Sequence, residues 1–204
     1  MNPFITIWSR PKETLQYILD EKTVGYAVML TLLGSLVSSI MAFSDTGFFG
    51  DFPLVAILAI SFGAAIVLGL MGWGFMTLLY TLVGKMLGGS GTMPQVSKIV
   101  ASSALPGIWM APINVLILLI YGKDLYEAPQ IYEFTVLPIA VYLIYNLITL
   151  GIGVYAIVIQ SMGLGLAHGF SSLRGFGAVA IVTGFLIVIT LIISFAIISI
   201  FIFK

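Results

Sequence analysis

Cysteine is missing from this chain, and charge is scarce. Without cysteine there is no disulfide, no thiolate metal site and no cysteine nucleophile. Only 8% of the 204 residues are charged, against roughly 25% in an ordinary soluble domain. Lysine plus arginine balance the acids, eight against eight, so no global field draws nucleic acid. The basic clusters and base-stacking platforms that nucleic-acid binding needs are absent too. A single histidine with no cysteine and no near acid makes a poor metal site. The expectation is no metal, no cofactor and no nucleic-acid partner. What the chain has in excess is apolar: 60% of its residues are hydrophobic, with a mean hydropathy of +1.18. Such a chain cannot cover a soluble surface with polar groups, and lipid is its natural solvent.

A helix needs about 20 apolar residues to cross roughly 30 Å of hydrocarbon. Five runs qualify, at about 24–43, 53–83, 103–121, 136–160 and 177–203. Backbone groups in lipid must be satisfied internally, so all five are expected to be helices. The fold class is all-α, a polytopic integral membrane protein. No apolar stretch precedes Val24, so the first run reads as a retained span and not a cleaved signal. Lysine and arginine in the loops set the orientation. With the N-terminus cytoplasmic, Arg10, Lys12, Lys22, Lys85, Lys98 and Arg174 fall inside, while Lys123 and Lys204 fall outside. The C-terminus is then outside.

Residues 1–22 form a cytoplasmic leader, and 23–204 the five-span membrane domain. In the leader, Pro11 and Glu13 suit a helix start. Leu15, Ile18 and Leu19 share one face, opposite Lys12, Glu13, Gln16 and Asp20. This predicts a short amphipathic helix lying on the inner leaflet, with Trp8 as an interface anchor. Trp8, Arg10 and Lys12 are its candidate contacts with a partner or with lipid headgroups. The second loop opens on glycines. Thr92 is the expected cap of a helix beginning near Met93–Pro94, with Val96, Ile99, Val100 and Ala104 as a stripe along the inner surface.

Within the spans no ionisable residue lies at mid-membrane, which argues against a proton relay or an ion-coupled pump. Asn114 and Asn146 are the candidate intramembrane polar contacts. They fall near the middle of adjacent antiparallel spans and are placed to bond each other. Small residues line the first two spans: Gly34, Ser35, Ser38 and Ser39, then Ala65 and Gly69 at the four-residue spacing that lets helices close up. Packing within one chain and a seam between two copies both fit that pattern.

"MGLGLAHGFSSLRGFGA" (162–178) holds the single histidine. His168, Ser171 and Arg174 invite a nucleophile reading. Yet no acid follows Glu133 in the chain, so nothing nearby can orient the imidazole. No catalytic residue is expected. The stretch reads as a flexible cytoplasmic turn between the last two spans, with His168, Ser171 and Arg174 as candidate partner or headgroup contacts.

Three stretches together resemble the Yip family, the Ypt/Rab-GTPase-interacting five-span proteins, in its short bacterial form. "NPFITIWSRPKETLQYIL" resembles the proline-containing segment before the first span. "VSKIVASSALPGIW" resembles the segment entering the third span, with Pro106 at the matching place. "IVIQSMGLGLAHGFSSLRGFGAVAI" resembles the hinge between the last two. The resemblance implies five transmembrane helices and a cytoplasmic N-terminus. Eukaryotic relatives bind Rab-type GTPases and act in vesicle traffic and membrane shaping. They carry a long N-terminal region with a "DLYGP" motif. Here only about 22 residues precede the first span, and "DLYEAP" (Asp124–Pro129) falls in an expected outer loop. The reading is a non-enzymatic protein of a bacterial plasma membrane that organises membrane or partner proteins through its cytoplasmic face. Its partners are membrane lipids, a cytoplasmic protein or a second copy. The alternative is a passive path for lipid or small solutes between the helices. A tight bundle favours the first and a groove reaching mid-membrane the second.

Overall fold

The structure, a computed structural model, describes residues 1–202; Phe203, the last residue of the expected fifth span, and Lys204 lie outside the described residues. In chain order the helices are α1 (Pro3–Ser9), α2 (Pro11–Glu21), α3 (Val24–Ser39), α4 (Leu54–Met86), α5 (Met93–Ser102), α6 (Leu105–Ile108) and α7 (Ala111–Tyr121). A 3₁₀ turn (Gly122–Tyr126) follows, then α8 (Ile139–His168) and α9 (Ser172–Ile202). No strand occurs among the described residues. The helix starts follow local chemistry. The Asn2 side chain accepts from the Phe4 N–H at 3.2 Å. Thr23 caps α3 by accepting from the Tyr26 N–H. Thr92 and Gln95 close a capping box on α5.

The five expected spans resolve into three kinds of element. α4, α8 and α9 are each long and apolar enough to cross a membrane. The third run is a bent rod: α5–α6 and α7 meet at 50°. Pro106 and Pro112 stand in the first turns of α6 and α7, and a proline lacks the N–H that would carry the preceding helix on. α3 has 16 residues, about 24 Å at ~1.5 Å per residue, short of a full crossing. α8 runs past the expected end of its span to His168, and α9 starts at Ser172. The flexible turn expected within 162–178 therefore shrinks to Gly169–Ser171. Gly169 takes the left-handed conformation, φ +72°, that ends α8.

Two apolar clusters mark the ends of the bundle. The larger joins α1, α2, the start of α3, the end of α4, α5, the end of α8 and the start of α9; we call this the headpiece. The smaller joins Phe49, Ile57, Ile117, Leu125, Tyr126 and Leu137 at the far end. None of residues 139–158 of α8 is buried, while most of 159–168 are. Twenty residues at ~1.5 Å each span about 30 Å, so the lipid-facing length of α8 is one bilayer and the rest enters the headpiece.

The leader departs from expectation. It is two helices, and Ile7, Leu15 and Ile18 are fully buried against protein in the headpiece, while Met1, Ile5 and Trp8 stay exposed. The Lys98 ammonium donates to the Leu19 carbonyl at 2.8 Å, tying α2 to α5. α5 likewise does not lie on a surface. Val96 and Ile99 are fully buried and Ala101 and Ser102 nearly so, which is burial on more than one side.

Candidate functional site

The candidate contacts of the leader divide. Trp8 is 45% exposed while its ring stacks on Tyr155 of α8 at 5.1 Å and 9°, and the Tyr155 hydroxyl donates to the Ile7 carbonyl at 2.6 Å. Arg10 faces Glu13 at 3.7 Å with both side chains in solvent. Such an exposed pair stabilises little. Lys12 is exposed. At the other candidate stretch, Ser171 and Arg174 are also exposed, and the Ser171 hydroxyl accepts from the Arg174 N–H at 3.3 Å at the start of α9.

His168 is not in a loop. It is the last residue of α8 and 2% exposed. Its Nδ1 accepts from the Gly91 N–H at 3.1 Å, and its carbonyl accepts from the Ser90 N–H at 3.1 Å. Phe170 stacks on the ring. The ring reaches this depth because three glycines surround it. A Cβ at Gly89 would lie 2.6 Å from the His168 Cβ, one at Gly91 2.8 Å from Nδ1, and one at Gly84 would strike the imidazole itself. His168 lies some ten residues beyond the lipid-facing length of α8. Burial pushes its pKa down, the Tyr80 carbonyl partly opposes this, and Lys85 adds to the lowering. A neutral imidazole accepting through Nδ1 is a structural keystone that joins α8 to the α4–α5 loop. It is not available as a surface contact.

Asn114 and Asn146 do not bond each other. Asn114 is buried, and its Nδ2 donates to the Val37 carbonyl of α3 at 2.9 Å. Asn146 is exposed and donates to the Tyr142 carbonyl of its own helix. The bend in the third run turns Asn114 toward α3.

A groove lined by small residues lies elsewhere, between α3 and α4. Where α3 meets α4, a Cβ on Gly69 would strike the Ser35 side chain. The small-residue pattern therefore serves packing within one chain at this point. On either side of that contact the helices part. Toward the far end, a groove of about 330 Å³ is lined by Ser35, Ser38, Ser39, Ser61 and Gly69. Toward the headpiece, another of about 330 Å³ is lined by Thr31, Gly34, Ser35, Ser38, Gly72, Met76 and Gly107. The two share Ser35, Ser38 and Gly69 and form one furrow with a waist. Ser61 is 1% exposed and its hydroxyl has no partner. The furrow ends beside a chamber that holds Tyr80 and Gln160. From Ser61 to Met76 along α4 the furrow runs about 22 Å at ~1.5 Å per residue, most of one hydrocarbon thickness. No charged side chain lines either groove. The residues of this furrow escape a search for ionisable groups, because serine, threonine and glycine inside an apolar run look like packing alone.

A bundle with long exposed apolar helix lengths and no acid, lysine or arginine buried among the described residues is a multi-pass membrane protein. The model of the Yip1 domain matches residues 5–198, nearly the whole chain and including most of the leader, so the chain belongs to the Yip1 family. Neither a curated protein nor a solved structure matches it.

Proposed function

We propose that this protein is a non-enzymatic, multi-pass protein of a bacterial plasma membrane that lets lipid move along the furrow between α3, α4 and α6. The N-terminus and the headpiece are cytoplasmic and the far end is outside. α3 and the bent rod each complete a crossing where the bilayer adapts to them. The observation that carries this reading is the furrow. It is a groove lined by small and apolar residues that carries the hydroxyls of Thr31, Ser35, Ser38, Ser39 and Ser61, the last of them buried with no partner. An unpartnered buried polar group costs roughly 1–3 kcal/mol, and a polar headgroup passing through would offset that cost. The hydroxyls are neutral, so the path suits zwitterionic or uncharged headgroups and not ions.

The test is lipid exchange in vesicles. The full chain is reconstituted with a headgroup-labelled phosphatidylcholine, and loss of the label to a membrane-impermeant quencher is timed. We expect exchange well above that of protein-free vesicles. Gly72→Leu should slow it about tenfold. A Cβ at Gly72 meets nothing within 4 Å, so the branch point of a leucine has room at the groove wall, and leucine favours a helix over glycine by up to about 1 kcal/mol. A folded protein that leaves exchange at the protein-free rate sinks this reading. It would leave the second one, a docking face for a cytoplasmic protein. That reading is favoured by the exposure of Arg10, Lys12, Ser171 and Arg174 on a headpiece whose leader is already folded.

A further inference from the structure

Between α4, α5, α8 and α9 lies a chamber of about 260 Å³. Val100, Ile157 and Val179 make its walls apolar, and Tyr80, Ser103, Gln160 and Thr183 bring the polar atoms. The Ser103 hydroxyl is already used, donating to the Val100 carbonyl at 2.7 Å. Gln160 is different. It is 5% exposed, and its Nε2 has no hydrogen-bond partner. An amide donor at this depth without an acceptor is uncommon. It needs a visiting acceptor.

Three observations narrow the visitor. No charged side chain lines the chamber, so a carboxylate or phosphate would be buried without a counter-charge. A water bonded to Gln160 and a neighbouring hydroxyl would satisfy the amide but would leave the apolar walls uncovered. Gln160 also stands two residues past the last lipid-facing residue of α8, at the depth where hydrocarbon gives way to the polar boundary. A diacyl phospholipid carries its ester carbonyls at that level, joined to an apolar chain. We infer that the chamber seats one acyl chain of a membrane phospholipid, with the Gln160 Nε2–H donating to the ester carbonyl. The seat stands apart from lipid transit: it holds for a static lipid as well as for a moving one.

The test replaces the carbonyl. The full chain is purified in mixed micelles containing equal amounts of a diester phosphatidylcholine and its diether analogue, which lacks the carbonyls. Lipid held after delipidation is weighed by mass spectrometry. We expect the diester to be retained about five- to tenfold over the diether, the difference one hydrogen bond makes. Gln160→Leu should bring the ratio to about one with the unfolding midpoint kept. Should that variant fail to fold, Ala156→Phe keeps the amide and fills the chamber, and retained lipid should then fall to the detergent background. Equal retention of diester and diether by the unaltered chain overturns the inference, as does a preference that survives Gln160→Leu. Gly72→Leu plugs the furrow and not the chamber, so it should leave the preference intact; failure of the seat and failure of lipid transit are thereby separable.

Discussion

At the headpiece the elements meet side chain on side chain, and glycines let them close. His168 fills the space left by Gly84, Gly89 and Gly91, and Ile99 of α5 presses on Gly163 of α8. At the far end two loops meet largely through hydrogen bonds to backbone. The Asp45 N–H donates to the Leu125 carbonyl at 3.1 Å and the Gly47 N–H to the Tyr126 carbonyl at 3.2 Å. Asp45 Oδ1 accepts from the Val136 N–H at 2.7 Å, and the Tyr126 hydroxyl donates to the Ile40 carbonyl at 2.9 Å. An aromatic group of Phe43, Phe48, Phe49 and Tyr126 covers these bonds. The headpiece is therefore sensitive to volume and the far end to loss of an acceptor. Between the two ends the same devices recur singly, in the Gly69–Ser35 contact and the bond from Asn114 to the Val37 carbonyl, and the furrow opens on either side of the Gly69–Ser35 contact.

His168→Ala should break the headpiece and spare the far end. It removes a packed ring and leaves the Gly91 N–H without its acceptor. Together these cost about 2–4 kcal/mol, the largest effect expected of a single change here. Denaturant unfolding in micelles measures the total. Hydrogen exchange locates it: amides of 86–92 should lose protection, and those of 45–47 and 125–136 should not. Equal loss at both ends would mean that the ends are one cooperative unit.

Asp45→Ala is the converse. It removes a charged acceptor from the Val136 N–H, worth roughly 1.5–3 kcal/mol. It also puts alanine at φ +61°, a left-handed conformation that aspartate tolerates better. The expected signature is faster exchange around residues 45–47 and 136, with the headpiece unchanged. A result confined to the headpiece would reverse the assignment of which end depends on hydrogen bonds.

The sequence carries these parts unequally. α4, α8 and α9 are legible because a long apolar run in lipid has one solution. The cap of α5 is legible because Thr92 and Gln95 satisfy each other locally. The bend of the third run is only half legible: Pro106 and Pro112 mark breaks, but the angle depends on what α5 packs against. The place of His168 is hidden for a different reason. "GLGLAHGF" reads as a flexible turn when glycine is taken as freedom. In this chain glycine also makes room, and the room belongs to residues some 77 positions away, as in the bond from the Gly91 N–H to His168. Gln160 offers a signal that composition alone could have raised, an amide in an otherwise apolar run. Ser61 offers none, since serine in a membrane helix ordinarily bonds to its own backbone.

Acid sensitivity is the smallest effect expected, and it belongs to the headpiece alone. Burial pushes the His168 pKa below its ordinary value of about 6.5, and Lys85 lowers it further against the opposing Tyr80 carbonyl. The unfolded chain therefore takes up a proton as pH falls through about 6.5, while the folded chain still resists it. Stability from the neutral imidazole is complete above about pH 6.5 and is lost as pH falls from there through the folded value. His168→Asn keeps an acceptor for the Gly91 N–H and does not titrate, so it costs some packing but no pH dependence. The expected result is a gap in unfolding midpoint between the two proteins that narrows between about pH 7.5 and 5.5. A gap that stays constant across that range would mean that His168 takes up its proton equally in the folded and unfolded chains. That outcome would remove the proton as a difference between the two ends and leave volume as the headpiece's weakness.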